Sequence, residues 1–189
     1  MKEQDTLTIH LIPDDNFYDA TPQIEILYED RDVVIVKKEK GILVHSDGNN
    51  FDTLTDRVNA YYRLQGFNQL IQPVHRIDVE TSGMIVFAKH FIALADLSYQ
   101  FENRLVDKTY IAIVEGMLEK NAGTIKKPII PEKGTNKMMI GYKGEPAISH
   151  YKVIRYDGFN SLLEVKIETG KTHQIRVHMA SIGHPVVGD

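Results

Sequence analysis

Short runs in which apolar side chains dominate, or alternate with polar ones, recur along the chain. They are Ile24–Tyr28, Val33–Val36, Met84–Ala88, Tyr110–Val114, Ile148–Ile154 and Leu162–Ile167, mostly bounded by Gly, Asp or Asn. Runs of this length and composition predict β-strands. The segments 147–153 and 162–167 partly alternate apolar with polar residues, the pattern of antiparallel strands with one face in solvent. Helical spacing lies between them. In Thr53–Gln65 the residues Leu54, Val58, Tyr61 and Tyr62 fall on one side, with Asp52 as the expected cap and Gly66 as the stop. A second predicted helix runs from Phe91 to about Arg104, with Phe91, Leu94, Ala95, Leu97, Ser98 and Phe101 expected to face a sheet. A third spans Thr172–Ile182, closed by Gly183 and followed by Pro185. Strands dominate without regular βα alternation and no internal repeat is present, so the expected fold is α+β with a largely antiparallel sheet.

Composition narrows this only slightly. At 189 residues, with 42% apolar and 25% charged residues, the chain suits a well-filled globular core, and length alone favours one domain. No cysteine is present, so disulfides and thiol chemistry are excluded and a reducing compartment is expected. The start, MKEQDTLTIHLIPDD, lacks an apolar core flanked by basic residues, and no later apolar run approaches the roughly 20 residues of a spanning helix. The expected location is cytoplasmic.

Charge changes the picture more. The net charge of −4 opposes a polyanionic partner, but it is unevenly spread. Residues 1–32 carry two basic and nine acidic side chains, a balance of −7; residues 33–189 carry 20 basic and 17 acidic, a balance of +3. Residues 1–22 therefore read as an acidic N-terminal segment ahead of a mildly basic body. The densest basic stretch is 120–143, where Lys120, Lys126, Lys127, Lys133, Lys137 and Lys143 face only Glu132. It reads either as a loop reaching toward phosphate or as an ordinary solvated loop.

Two segments concentrate reactive side chains. In Pro73-Val74-His75-Arg76-Ile77-Asp78-Val79-Glu80-Thr81-Ser82-Gly83, charged and hydroxyl groups crowd the mouth of the strand at Met84. There a rigid strand can fix side chains, and Gly83 permits a backbone conformation closed to other residues. On spacing alone an ordinary polar turn explains it as well. The second is Thr169-Gly170-Lys171-Thr172-His173-Gln174-Ile175-Arg176-Val177-His178. A phosphate-binding Gly-Lys-Thr loop is excluded, because the motif needs a glycine where Val165 stands. His173 and His178 are five apart, a spacing that opposes a shared metal on one helical face. His173 and Arg176 are three apart and expected to share a face, from which Arg176 can reach a carboxylate; Asp78 is a candidate, and a purely structural ion pair is the alternative.

HRIDVETSGMIVFAKH resembles the HRLD-x-x-TSG-x-x-x-x-AK signature of the RluA-like pseudouridine synthases. Lys108-Thr109-Tyr110-Ile111-Ala112 is similar to that family's K-x-Y-x-A segment, and ETGKTHQIRVHMASIGHPVVGD to its TGRTHQIRVH-x-x-x-x-GHP-x-x-GD block. The three follow in the family's order, and weaker similarity runs from about Gln23 to Asp189. The resemblance implies a catalytic domain over residues 23–189 with the pseudouridine synthase fold, a largely antiparallel mixed central sheet flanked by helices and loops. It implies isomerisation of uridine to pseudouridine in rRNA or tRNA, with no cofactor; no DNA or membrane partner is expected, and a monomer is the simpler expectation. By the same resemblance Asp78 is the catalytic aspartate, Tyr110 lies against the target base, Arg176 pairs with the aspartate, and Arg76 helps to displace and replace the flipped base.

The departures are Lys38-Glu39-Lys40-Gly41 where the family reads K-P-A-G, and Lys171 in place of an arginine. The resemblance further leads us to expect no S4-type RNA-binding domain ahead of residue 23, and no C-terminal tail of the kind relatives carry. Two rivals remain: an RNA-binding scaffold that no longer catalyses, and a glycoside or nucleoside hydrolase using Asp78 with Glu80 as its carboxylate pair.

Overall fold

A computed structural model describes residues 20–49, 52–135 and 137–189, so most of the acidic N-terminal segment, residues 1–19, lies outside the described residues. The chain divides into two compact units, Met1–Phe101 and Glu102–Asp189. The class is α+β as expected, and every strand pair is antiparallel. Among the described residues no helix is long and apolar enough to cross a membrane.

The first unit holds a four-stranded sheet in the order β1-β2-β4-β3, where β1 is Glu25–Glu29, β2 Val33–Lys38, β3 Gln72–Pro73 and β4 Gly83–Ala88. Helix α1, Leu54–Leu64, packs its Leu54, Val58 and Tyr62 against Val34, Val36, Ile85 and Phe87, which are fully buried. The helix begins at Thr53 rather than at the expected Asp52. Thr53 and Asp56 form a reciprocal capping box, while Asp52 turns away to a two-pronged pair with Arg57 at 2.6 and 2.7 Å. Helix α2, Phe91–Glu102, also departs from expectation. Leu94, Leu97, Ser98 and Phe101 are half-buried as predicted, but Phe91 and Ala95 are exposed and Ala93 is the buried residue. The period is right and the face is rotated.

The second unit is built on the sheet β5-β10-β9-β6, from β5 Lys108–Glu115, β6 Ala122–Lys126, β9 Ile148–Tyr156 and β10 Asn160–Ile167. Strands β7, Ile129–Pro131, and β8, Met138–Ile140, form a separate hairpin. The stretch 120–143, expected to be a loop, thus contains three short strands. Lys127 is tied down rather than free, its ammonium donating to the Ser181 carbonyl at 2.9 Å and the Ser181 hydroxyl at 3.2 Å. Helix α3 is shorter than expected, Gln174–Ala180, because His173 at its start adopts a left-handed backbone, φ 53°. With His173 outside the helix, the argument that it shares a face with Arg176 no longer holds. Ala112, Val114, Leu163, Val165 and Met179 form this unit's core between sheet and helix.

One buried polar bridge joins α1 to the segment entering β3. The Asn59 side chain donates to the carbonyls of Thr55 and Ile71 and accepts from the Ile71 N–H, each at 2.9 Å. Ile71 is fully buried, so water cannot replace the amide. Asn59→Ala is expected to destabilise the chain by about 1–3 kcal/mol, the cost of orphaning buried backbone groups, measured by urea unfolding followed by circular dichroism. A change under about 0.5 kcal/mol would contradict this role.

Candidate functional site

The segment 73–78 alternates in and out of the first unit, which fixes its side chains one by one. His75 turns inward: its Nε2 accepts the Val86 N–H at 3.1 Å, leaving the ring proton on Nδ1, and the ring stacks on Phe101 at 4.8 Å between centroids and 12° between planes. Arg76 points outward and is exposed. Ile77 turns inward again and packs against the first core. Asp78 follows, half-buried, at the head of a tight turn closed by the Thr81 N–H on the Asp78 carbonyl at 3.0 Å. Gly83, at φ 154°, then starts β4 in a conformation that side-chain-bearing residues rarely adopt.

What holds this turn is a residue the sequence reading passed over. Alternation along β2 places Val34, Val36 and Lys38 on one buried row, and Lys38 is completely buried. A buried ammonium must be surrounded by oxygen. Lys38 Nζ donates to the carbonyls of Glu39 at 3.0 Å, Ile42 at 2.7 Å and Val79 at 3.0 Å. The Val79 carbonyl also accepts the Gly41 N–H at 2.8 Å, so the residue after Asp78 is bound twice to the turn leaving β2. Burial lowers the Lys38 pKa from its ordinary value, and the carboxylates of Glu80 and Asp78 oppose that shift. Glu80 is exposed and paired with Lys40 at 3.1 Å.

In the second unit Tyr110 is half-buried on β5, opposite Val165 of β10 and on the same side of the strand as the buried Ala112 and Val114. Arg176 lies on α3, and its guanidinium bonds the Asp189 carboxylate, with Nε donating to Oδ1 at 2.7 Å and Nη2 donating to the same oxygen. Asp189 is carried there by the last segment of the chain, which docks along β5. The Glu115 N–H bonds the Pro185 carbonyl, and the Val187 N–H bonds the Ile113 carbonyl, both at 2.9 Å. His184 Nδ1 adds a bond to the Glu115 carbonyl at 2.8 Å. Arg76 and Asp78 therefore belong to the first unit, and Tyr110 and Arg176 to the second.

Arg176 is placed by a buried polar chain that locks α3 to β9. Thr169 Oγ1 donates to Gln174 Oε1 at 2.7 Å, and Gln174 Nε2 donates to Ser149 Oγ at 3.0 Å and to the Ile148 carbonyl at 2.9 Å. The Ser149 hydroxyl in turn faces His178 Nδ1 at 2.9 Å, while His178 Nε2 bonds the Lys127 carbonyl at 3.0 Å. A carbonyl accepts only, so Nε2 carries a proton; burial disfavours a second proton on Nδ1, which then accepts from the hydroxyl. Several polar residues of the segment 169–178 are thus scaffolding. Elsewhere in this unit a cavity of about 340 Å³ is lined by Arg104, Asp107, Lys108, His150, Lys166 and Glu168 among others. Its acids are engaged, Asp107 with Lys166 at 3.3 Å and Glu168 with His150 at 2.7 Å, and neither Tyr110 nor Arg176 lines it.

Comparison with known proteins gives a consistent result. The family model described as RNA pseudouridylate synthase matches residues 32–181. An uncharacterised RNA pseudouridine synthase of Bacillus subtilis is 40% identical over 171 residues, covering 88% of this chain and 57% of that protein. The ribosomal large subunit pseudouridine synthase D of Escherichia coli is 36% identical over 169 residues, covering 88% of this chain and 51% of that protein. Among solved structures, the human RNA pseudouridylate synthase domain containing 1 superposes with a TM-score of 0.74 at 29% identity, over 89% of this chain and 69% of that one. The chain thus spans a little over half the length of these two curated relatives.

Two outcomes test this architecture. Lys38→Met, which keeps length but removes the donor, is expected to lower stability by about 1–3 kcal/mol in urea unfolding; an unchanged midpoint would show that the three carbonyls need no cation. For His178, burial, with the Lys127 charge adding to it, lowers the pKa from 6.5. Below pH 6.5 the unfolded chain therefore binds a proton that the folded chain refuses, and stability falls as the pH drops below 6.5. An NMR titration should find the His178 ring still neutral at pH 6.5; a ring half-protonated above that pH would contradict the assignment.

Proposed function

Because this chain belongs to the RNA pseudouridylate synthase family, we propose that it isomerises specific uridines of structured RNA to pseudouridine, with Asp78 as its catalytic carboxylate. The observation that supports this most is the way the Asp78 turn is built. A half-buried carboxylate stands on a backbone tied to β2 through Val79, beside an exposed Arg76, inside the span that matches the family.

The isomerisation breaks the bond from the sugar C1′ to N1 of uracil, turns the base and joins C1′ to C5. The C5 proton is lost and N1 gains one, so the sum is redox-neutral and no energy source is needed. A carboxylate can bond to the sugar carbon or take a sugar proton, and it must be ionised for either. In this reading Arg176 is the cationic partner that the family motif assigns to the catalytic aspartate, and Asp189 orients its guanidinium. Tyr110 offers its ring to the flipped uracil and its hydroxyl to proton removal at C5. The target base is out of reach while stacked, so it must be flipped, at a cost of a few kcal/mol that favours loops and weakened stems. Arg76 is free to enter the space the base leaves.

The Escherichia coli relative is named for the ribosomal large subunit, which makes rRNA the first substrate to try, with tRNA as the alternative. A catalytically silent scaffold remains the second reading, opposed by the presence of Asp78, Tyr110 and Arg176 together. Incubating the chain with total RNA from cells lacking it, then mapping pseudouridine, separates the readings: new sites support a synthase, binding without product supports the silent scaffold, and released uracil supports a hydrolase. Asp78→Asn is expected to abolish product while holding RNA affinity within a few-fold. Appreciable turnover by that variant would remove Asp78 from the chemistry.

A further inference from the structure

The hairpin of the second unit ends in a feature that packing does not explain. Directly after β8 the chain makes the turn Gly141-Tyr142-Lys143-Gly144, closed by the Gly144 N–H on the Gly141 carbonyl at 2.8 Å. The turn is stapled to β7 at both ends. Gly141 N–H bonds the Pro128 carbonyl at 3.0 Å, and Glu145 exchanges both backbone bonds with Ile129, at 3.0 and 3.1 Å. Ile129 itself is buried, so the staple is anchored in the unit's interior. A Cβ at Gly144 would lie 2.5 Å from the Ile129 carbonyl oxygen and 2.7–2.8 Å from its backbone C and N. Only glycine allows the turn to fold this closely over the strand.

This held backbone presents Tyr142 with a relative exposure of 104%, and among the described residues the ring makes no hydrogen bond or ring contact. Lys143 beside it is exposed and has no carboxylate partner among the described residues, and the same holds for Lys126, Lys133 and Lys137 along the hairpin and its approach. The acid that follows the turn, Glu145, is neutralised by Lys171. An aromatic ring held out on a stapled backbone loses little conformational entropy on binding. Lys143 beside it and the exposed lysines elsewhere on the stretch 126–143 favour a polyanion, and among polyanions a nucleic acid strand is the one that also carries faces for a ring to stack on.

We infer that the Gly141–Gly144 turn is an RNA-contact platform, on which the Tyr142 ring stacks against an unpaired base and Lys143 meets the adjoining phosphate. The inference rests on the reading of RNA as substrate and adds to it a contact outside Arg76, Asp78, Tyr110 and Arg176.

The test uses the whole chain with fluorescein-labelled single-stranded oligouridylate and with deproteinised large-subunit rRNA, followed by fluorescence anisotropy over a range of salt. Tyr142→Ala is expected to weaken binding roughly tenfold or more, and Tyr142→Phe, which keeps the ring, to bind within about twofold of the unaltered chain. Lys143→Gln should lower the slope of log affinity against log salt by about 0.7. Thermal unfolding of all three should match the unaltered chain, since both side chains are exposed among the described residues. Affinity unchanged in Tyr142→Ala, while the unaltered chain binds RNA and forms pseudouridine, overturns this inference alone and assigns the turn to another class of partner. A Phe variant as weak as the Ala variant overturns the stacking contact. An unaltered chain that neither binds RNA nor forms pseudouridine overturns the inference and the proposed function together.

Discussion

A lysine ammonium with no access to water must be enclosed by oxygen atoms, and in the first unit that requirement governs the shape of the site. Alternation along β2 sends Lys38 into the buried row that begins with Val34 and Val36. The oxygens within its reach are main-chain carbonyls, so the backbone has to come to it. The turn after β2 supplies Glu39 and Ile42, and the turn that starts at Asp78 supplies Val79. Two loops that are far apart in sequence are thereby joined at one cation. The backbone that carries the half-buried Asp78 carboxylate is fixed by that cation, which is the condition that any chemistry proposed for the carboxylate needs.

The second unit meets the same demand with neutral groups. Thr169, Gln174, Ser149 and His178 pass hydrogen bonds along a buried line from the end of β10 to the approach to β7, and each group both gives and takes where its chemistry allows. A helix of seven residues has too few turns to be stable alone. Its position is instead imposed by Gln174 and His178, one turn apart on the side facing β9. Arg176, between them in sequence, points elsewhere and meets Asp189. The left-handed His173 is the local cost of that placement, since the chain must turn sharply from Thr172 to present Gln174 inward.

Most strands and all three helices were legible in the sequence, to within a few residues, because each carries its own period. What failed did so for local reasons. The cap of α1 was misplaced by one residue because Asp52 and Thr53 are both good caps, yet Asp56 three residues after Thr53 marked the answer. Strands β3, β6, β7 and β8 were missed because Gln-Pro, Ala-Gly-Thr-Ile-Lys, Ile-Ile-Pro and Met-Met-Ile are short and poor in alternation; their partners, not their own residues, make them strands. Of the candidate functional residues, Asp78, Tyr110, Arg176 and Arg76 were named through motifs. Lys38 could have been read from the alternation Val34, Val36, Lys38. Ser149 and Asp189 could not, because each acquires its role from a residue brought to it by strand register or by docking of a distant segment.

Net charge was the feature that most opposed an RNA partner, and its weight falls once the charges are placed. Many carboxylates of the described residues are spent on neighbours: Glu29 on Lys89, Glu80 on Lys40, Glu145 on Lys171, Glu168 on His150 and Asp189 on Arg176. An anionic strand at the surface responds to charges within about 8–10 Å, the screening length at physiological salt, and not to the sum over the molecule. Lys126, Lys133, Lys137 and Lys143 sit on one short stretch of chain with no carboxylate partner among the described residues. That stretch holds these four lysines against Glu132, while the acid excess of residues 1–32 belongs to another part of the sequence. A chain of net charge −4 can therefore carry a locally basic, aromatic-tipped surface, and it is the local balance that bears on RNA.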